Sequence, residues 1–205
     1  MRLEEALRLA IGRLTAAQVG SPRMNAEVLL MFTLGCDRAY LYAHGERELS
    51  AEETTRYDEA LGQRAQGVPS QYITGHQEFW GMDLIVTPAV LIPRPETEHL
   101  IEVILPLAKT MENSKIVDVG TGSGCIALAL AKELPGSQIH ATDLSPEALE
   151  IARANAARHS LDSPWPAATA GSAAAPGEEW ALGEARDRLQ SGGVSLSRCR
   201  RSVRG

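Results

Sequence analysis

Cysteine is scarce in this 205-residue chain: Cys36, Cys125 and Cys199 have neither the number nor the spacing of a disulfide framework or a zinc knuckle, so a reducing compartment is expected. Long apolar runs are missing too. Charges at Arg2, Glu4, Glu5, Arg8 and Arg13 break up the stretch that a signal peptide would keep apolar, and no segment has the length of a membrane span. A cytoplasmic protein without membrane contact is therefore expected. Nor is there a basic excess: a net charge of -6 argues against direct binding to a nucleic-acid backbone and leaves protein partners open. His76, His99, His140 and His159 lack metal-ligand spacing, so no metal is expected. What is present, 44% hydrophobic and 22% charged residues, is ordinary globular composition, with length for one full domain or for a small domain followed by part of a larger one.

Leu3, Leu7, Ile11 and Leu14 recur at helical spacing, and Ser21-Pro22 opens a second helix through Val28, Leu29 and Phe32 to Gly35. A capping box at Ser50 and Glu53 precedes a third helix whose face includes Tyr57 and Leu61. Residues 1–67 are thus expected to form a small helical domain. Over 68–81 the helical period disappears among Pro69, Gly75, Phe79 and Trp80, and 83–86 and 90–92 read as two short strands around Thr87-Pro88. Residues 68–95 are accordingly read as a linker and a β-hairpin. Glu96 and Glu98 then suit a helix N-terminus, Leu100, Ile104 and Leu107 make its inner face, and Pro106 predicts a kink or an early end.

From Lys115 the pattern becomes that of an α/β sheet. Residues 116–119 read as a buried strand, 120–124 as a tight glycine loop, 125–134 as a helix and 139–142 as a second strand ended by Asp143; Ser145 caps the helix that Pro146 opens. Residues 96–162 are read as the leading part of a sheet domain. Beyond them, 163–205 contains no isoleucine, six arginines against four acids, and no run resembling the buried strand at Ile116. A disordered tail, with at most a short helix over 181–189, is expected there.

The chemistry centres on Asp118-Val119-Gly120-Thr121-Gly122-Ser123-Gly124, between strand and helix. Glycines let a ligand approach the backbone, and the next helix presents unpaired N–H groups. Asp143, at the tip of the second strand, can accept both hydroxyls of a ribose, so an adenine nucleoside cofactor is the expected ligand. The spacing is G-x-G-x-G rather than the G-x-G-x-x-G of dinucleotide sites, and Asp118 would repel a pyrophosphate while attracting the ammonium of a methionine moiety. S-adenosylmethionine is therefore preferred over NAD and over an empty structural turn. A Walker loop is excluded because its lysine and hydroxyl pair is missing. Arg94, between Pro93 and Pro95, reads either as a surface turn residue or as a rigid pocket wall.

Several stretches resemble the release-factor glutamine methyltransferases, the HemK or PrmC family: Pro69-Ser70-Gln71-Tyr72-Ile73-Thr74-Gly75, Glu78-Phe79-Trp80-Gly81, Thr87 through Pro93-Arg94-Pro95-Glu96-Thr97-Glu98, the loop from Asp118 to Gly124, and Asp143-Leu144-Ser145-Pro146-Glu147. The resemblance covers about residues 1–160. It implies an α/β protein with a small N-terminal helical domain for release-factor recognition, followed by a truncated class I (Rossmann-like) methyltransferase domain. It further implies S-adenosylmethionine as cofactor, held by Asp118, Gly120, Thr121, Gly122, Gly124 and Asp143, with Phe79, Arg94, Pro95 and Thr97 as candidate pocket wall. The family methylates the amide nitrogen of the glutamine in the Gly-Gly-Gln loop of bacterial release factors, and aligns that amide with an Asn-Pro-Pro-Tyr motif. This sequence contains no Asn-Pro-Pro-Tyr. No catalytic residue is assigned, and impaired activity is expected, with an inactive release-factor-binding remnant as the competing reading and an NAD-dependent oxidoreductase as a remoter one.

Overall fold

The computed structural model describes residues 1–111 and 114–161, together with the backbone of Val194 and Ser195. It divides into two compact units, Met1–Gly75 and the chain from His76 onward.

The first unit is helical: α1 (Leu3–Ala16), α2 (Pro22–Leu34), α3 (Arg38–Ala43), α4 (Ala51–Ala65) and α5 (Ser70–Thr74). Leu3, Ala6, Ala10 and Leu14 carry the buried face of α1 and meet Leu29, Leu30, Tyr57 and Leu61 in one core. At the start of α4 the expected capping box closes, Glu53 N–H donating to Ser50 Oγ at 3.1 Å and Ser50 N–H to Glu53 Oε2 at 2.9 Å. Ser21, by contrast, makes no side-chain cap and stands at φ 50°; α2 begins on Pro22, and Asn25 Nδ2 donates to Gly20 O at 2.8 Å instead. Two short helices differ from the sequence reading. Asp37 caps α3 through Tyr40 N–H at 2.8 Å, and α5 fits between Pro69 and the left-handed Gly75, at φ 77°. Neither is long enough to display a hydrophobic period, so the stretch read as non-helical over 68–81 begins with a turn of helix.

In the second unit the hairpin pairs β1 (His76–Phe79) with β2 (Met82–Ile85), antiparallel. The expected pairing of 83–86 with 90–92 is not found: Val90 and Ile92 are buried, yet Val90 closes a turn on Thr87 O at 3.0 Å and Ile92 follows in irregular loop outside the sheets. Trp80 and Gly81 form the turn at φ 53° and 66°, the left-handed pair that matches strand twist. Charged side chains hold that strained Trp80, whose N–H donates to Glu98 Oε1 at 2.8 Å and whose indole Nε1–H donates to Glu133 Oε1 at 3.1 Å. After a short 3-10 turn at Pro95–Thr97, α6 runs Glu98–Lys109 straight through Pro106. Pro106 and Glu102 both lie on the solvent face, where the carbonyl left without its helical donor can be hydrated, so no break is needed. The inner face is Ile101, Ile104 and Ala108, while Leu107, expected there, is exposed.

The sheet is parallel, in the order β4-β3-β5, with β3 at Lys115–Val119, β4 at Gln138–Thr142 and β5 at Val194–Ser195. Helices α7 (Cys125–Glu133) and α8 (Pro146–Arg158) follow β3 and β4. Ile116, Ile139 and Ala141 join Leu128, Leu130, Ile101 and the hairpin's Phe79, Met82 and Leu84 in one core. The two-residue β5 corrects the expectation of no strand beyond 162; the short helix expected over 181–189 lies outside the described residues. Among the described residues no helix is long and apolar enough to cross a membrane.

Candidate functional site

β3 pairs with β4 from Lys115↔Gln138 to Val119↔Thr142, which brings the C-terminal ends of both strands to one edge. β5 lies on the other side of β3, so strand order reverses at β3, and its C-terminal end is the kind of crevice where open α/β sheets bind ligands. The glycine loop crosses this edge. Gly120 N–H and Thr121 N–H both donate to Thr142 O, at 2.8 and 3.0 Å, and Gly124 N–H closes the turn on Thr121 O at 2.9 Å.

Two carboxylates organise the loop. Asp118, 5% exposed, accepts from Thr121 Oγ1 at 2.8 Å and from the backbone N–H of Ala127, in the first turn of α7. It therefore occupies the electropositive end of that helix. Burial is the largest influence on its carboxyl and raises its pKa; the two hydrogen bonds oppose the rise and the charge of Asp143 adds to it. Asp143 is half-buried, its Oδ2 accepting from Gly122 N–H at 2.8 Å and its Oδ1 from Ser145 N–H at 3.0 Å. Ser145 caps α8 as expected, through Ala148 N–H at 3.1 Å.

The three loop glycines divide by role. All have positive φ, 78° at Gly120, 56° at Gly122 and 83° at Gly124. A Cβ at Gly120 or Gly122 would meet nothing within 4 Å, which leaves the backbone open to a ligand. At Gly124 it would meet Ala152 Cβ and Leu128 Cδ1, each at 3.2 Å, so this glycine serves the close packing of α7, α8 and the loop.

The remaining residues singled out from the sequence are not gathered in the same way. Phe79, 1% exposed, is committed to the core. Arg94 and Pro95 are exposed and Thr97 is half-buried at the 3-10 turn before α6, and no hydrogen bond or ion pair joins Arg94 to the glycine loop among the described residues. Two apolar side chains that sequence reasoning does not single out stand beside the carboxylates: Val119 and, 87% exposed, Leu144. A large aliphatic residue directly after the acidic strand end was the signal available for Leu144. Burial pushes the Cys125 thiol up to about 11, which makes it a neutral packing group and no nucleophile near neutral pH. Among the described residues no cluster could hold a metal ion.

A family model described as the PrmC N-terminal domain matches residues 5–75, and one described as the methyltransferase small domain matches residues 97–178. The release factor glutamine methyltransferase of Koribacter versatilis (strain Ellin345) is 61% identical over 158 residues, covering 77% of this chain and 56% of that protein. That of Moorella thermoacetica is 47% identical over 161 residues, covering 78% and 57%. The Escherichia coli (strain K12) protein of the same description is 43% identical over 178 residues, covering 83% and 63%. The chain thus spans between 56% and 63% of the length of these relatives. With one model on the helical unit, the other on the sheet unit and identity of this order across both, the chain belongs to the release factor glutamine methyltransferase (HemK/PrmC) family.

Proposed function

We propose that the ends of β3 and β4 hold S-adenosylmethionine, and that the reaction served is methylation of the side-chain amide nitrogen of the glutamine in the Gly-Gly-Gln motif of peptide chain release factors. The observation that carries the cofactor reading is Asp118 at the N-terminus of α7. A dinucleotide would need that helix end for its pyrophosphate and would meet a carboxylate there, whereas a cationic methionine moiety is attracted to it. Asp143 spends one backbone hydrogen bond on each oxygen, and a carboxylate has about four acceptor sites, so room remains for two ribose hydroxyls. Leu144 offers an apolar face to an adenine ring, Gly120 and Gly122 allow close backbone approach, and Thr121 keeps Asp118 oriented. The cofactor supplies an electrophilic methyl group; the residues named bind and orient it.

Residues 1–67 serve release-factor recognition in this reading, 68–95 connect, and 96–162 bind the cofactor, with Arg94, Pro95 and Thr97 at the wall. Phe79 supports that wall from the core. Alignment of a glutamine amide is a separate task, and the 205 residues contain no Asn-Pro-Pro-Tyr to perform it. In this reading the described residues carry the cofactor-binding part of the task.

Thermal unfolding over a pH series tests the cofactor reading. S-adenosylmethionine is expected to raise the midpoint and NAD to leave it unchanged. The Asp118 pKa is raised in the free protein, and a bound cation lowers it again. Affinity is therefore full above the raised pKa and declines as pH falls through it, at a higher pH than for an ordinary aspartate. Stabilisation by NAD, or a cofactor effect independent of acidity down to the ordinary aspartate range, would contradict the assignment.

A further inference from the structure

We infer that Asn155 is a positioning residue that sets the glycine loop from behind. It lies within α8, on the face formed with Ala148, Leu149, Ala152 and Ala156, and is 0% exposed. An asparagine inside a helix is unfavourable, and burying its carboxamide is costlier still unless every polar atom finds a partner. Here each does. Asn155 Oδ1 accepts from Ile85 N–H at 2.7 Å, and Nδ2 donates to Ile85 O at 3.0 Å and to Ser123 O at 2.9 Å. With Ile85 the carboxamide behaves as a one-residue strand, taking both backbone groups of the last residue of β2. Its remaining donor reaches the loop.

The loop contact falls between two others. Gly122 is held by Asp143 at the ligand side, Ser123 by Asn155, and Gly124 by the abutting Ala152. Ser123 O shares a peptide plane with Gly124 N–H, which closes the turn on Thr121 O. Losing the Asn155 donor frees that peptide to rotate, and the rotation carries Gly122 N–H away from Asp143. Through the same side chain the loop is tied to the end of β2, from which the chain continues to Arg94. Asn155 touches no cofactor atom in this account; it acts through the loop.

The test compares Asn155→Asp, which keeps the acceptor for Ile85 N–H and removes both donors, with Asn155→Ala, under conditions where circular dichroism shows them folded. In the cofactor-free protein, Gly122 and Gly124 amide hydrogens are expected to exchange about tenfold faster or more, while those of Ile116 and Ile139 keep their wild-type rates. Affinity for S-adenosylmethionine, which rests on the proposed cofactor site, is expected to weaken about tenfold in parallel. Exchange that is unchanged, or that accelerates uniformly through the unit, overturns the positioning role and leaves Asn155 a general stability residue. If the wild type binds no S-adenosylmethionine, the cofactor reading fails and exchange alone decides the role of Asn155. Should neither variant fold, the wild type decides: the Asn155 Nδ2 protons and the Gly124 amide are expected to share one opening free energy and one denaturant dependence. Exchange of Gly124 through an opening that leaves the carboxamide protected overturns the inference.

Discussion

Gly124→Val is expected to destabilise the sheet unit by roughly 2–5 kcal/mol, from about 1–2 kcal/mol for a left-handed non-glycine residue and about 1–3 kcal/mol for overpacking. Both contributions are visible at the site: φ is 83°, and the added Cβ would press on Leu128 of α7 and Ala152 of α8 at 3.2 Å, the latter a short side chain whose own backbone Cα lies at 3.4 Å and cannot swing aside. Domains of this size have about 5–15 kcal/mol in all, so the variant sits near the limit of folding. Gly120→Ala is the control. Its Cβ meets nothing within 4 Å, so only the backbone cost at φ 78° applies, and the larger consequence should be weaker cofactor binding. Urea titrations of the two variants check this ordering; equal stability losses would mean that Gly124 is no packing residue.

Methyl transfer by the 205-residue chain is expected to be at most about one-hundredth that of an intact relative such as the Escherichia coli protein, because losing preorganised alignment groups costs about 10²–10³ in rate. An amide nitrogen is a poor nucleophile, its lone pair being delocalised, so its orientation towards the methyl decides the rate. The described residues include the proposed cofactor site and no group assigned to grip the glutamine. The assay is transfer of label from S-adenosylmethionine to the Gly-Gly-Gln glutamine of an unmodified release factor, with the mass of the chain verified. Turnover equal to the relative's would show that residues outside Asn-Pro-Pro-Tyr can align the amide.

Where a local rule acts within a few residues, the sequence was readable. The capping box at Ser50, the cap at Ser145, the run Ile116 to Val119, and the glycine loop with its two flanking aspartates are each fixed by neighbours in the chain. Periodicity points to the wrong hairpin strand, since Val90 and Ile92 alternate like a strand yet are buried in a loop, while His76-Gln77-Glu78-Phe79 is polar on its outer face and has an apolar face of little length. Helix α5 was hidden by its brevity. At the site, the G-x-G-x-G spacing and Asp118 favour one cofactor class but do not separate the glycines. Gly120 and Gly124 look alike in sequence, and the approach of Leu128 and of Ala152, the latter 28 positions further along the chain, shows that one of them is a packing residue. Asn155 was likewise invisible, because its partners Ile85 and Ser123 lie 70 and 32 residues away.

The proposed site for S-adenosylmethionine at the ends of β3 and β4 is organised by Asp143. Isothermal titration of the 205-residue chain and of Asp143→Ala with S-adenosylmethionine tests it most directly. Removing the carboxylate deletes a charge-assisted acceptor worth roughly 1.5–3 kcal/mol and releases Gly122 N–H. Saturable one-site binding to the wild type, weakened about tenfold or more in the variant, is the predicted result. A folded wild type that does not bind, or a variant that binds equally well, would contradict the account.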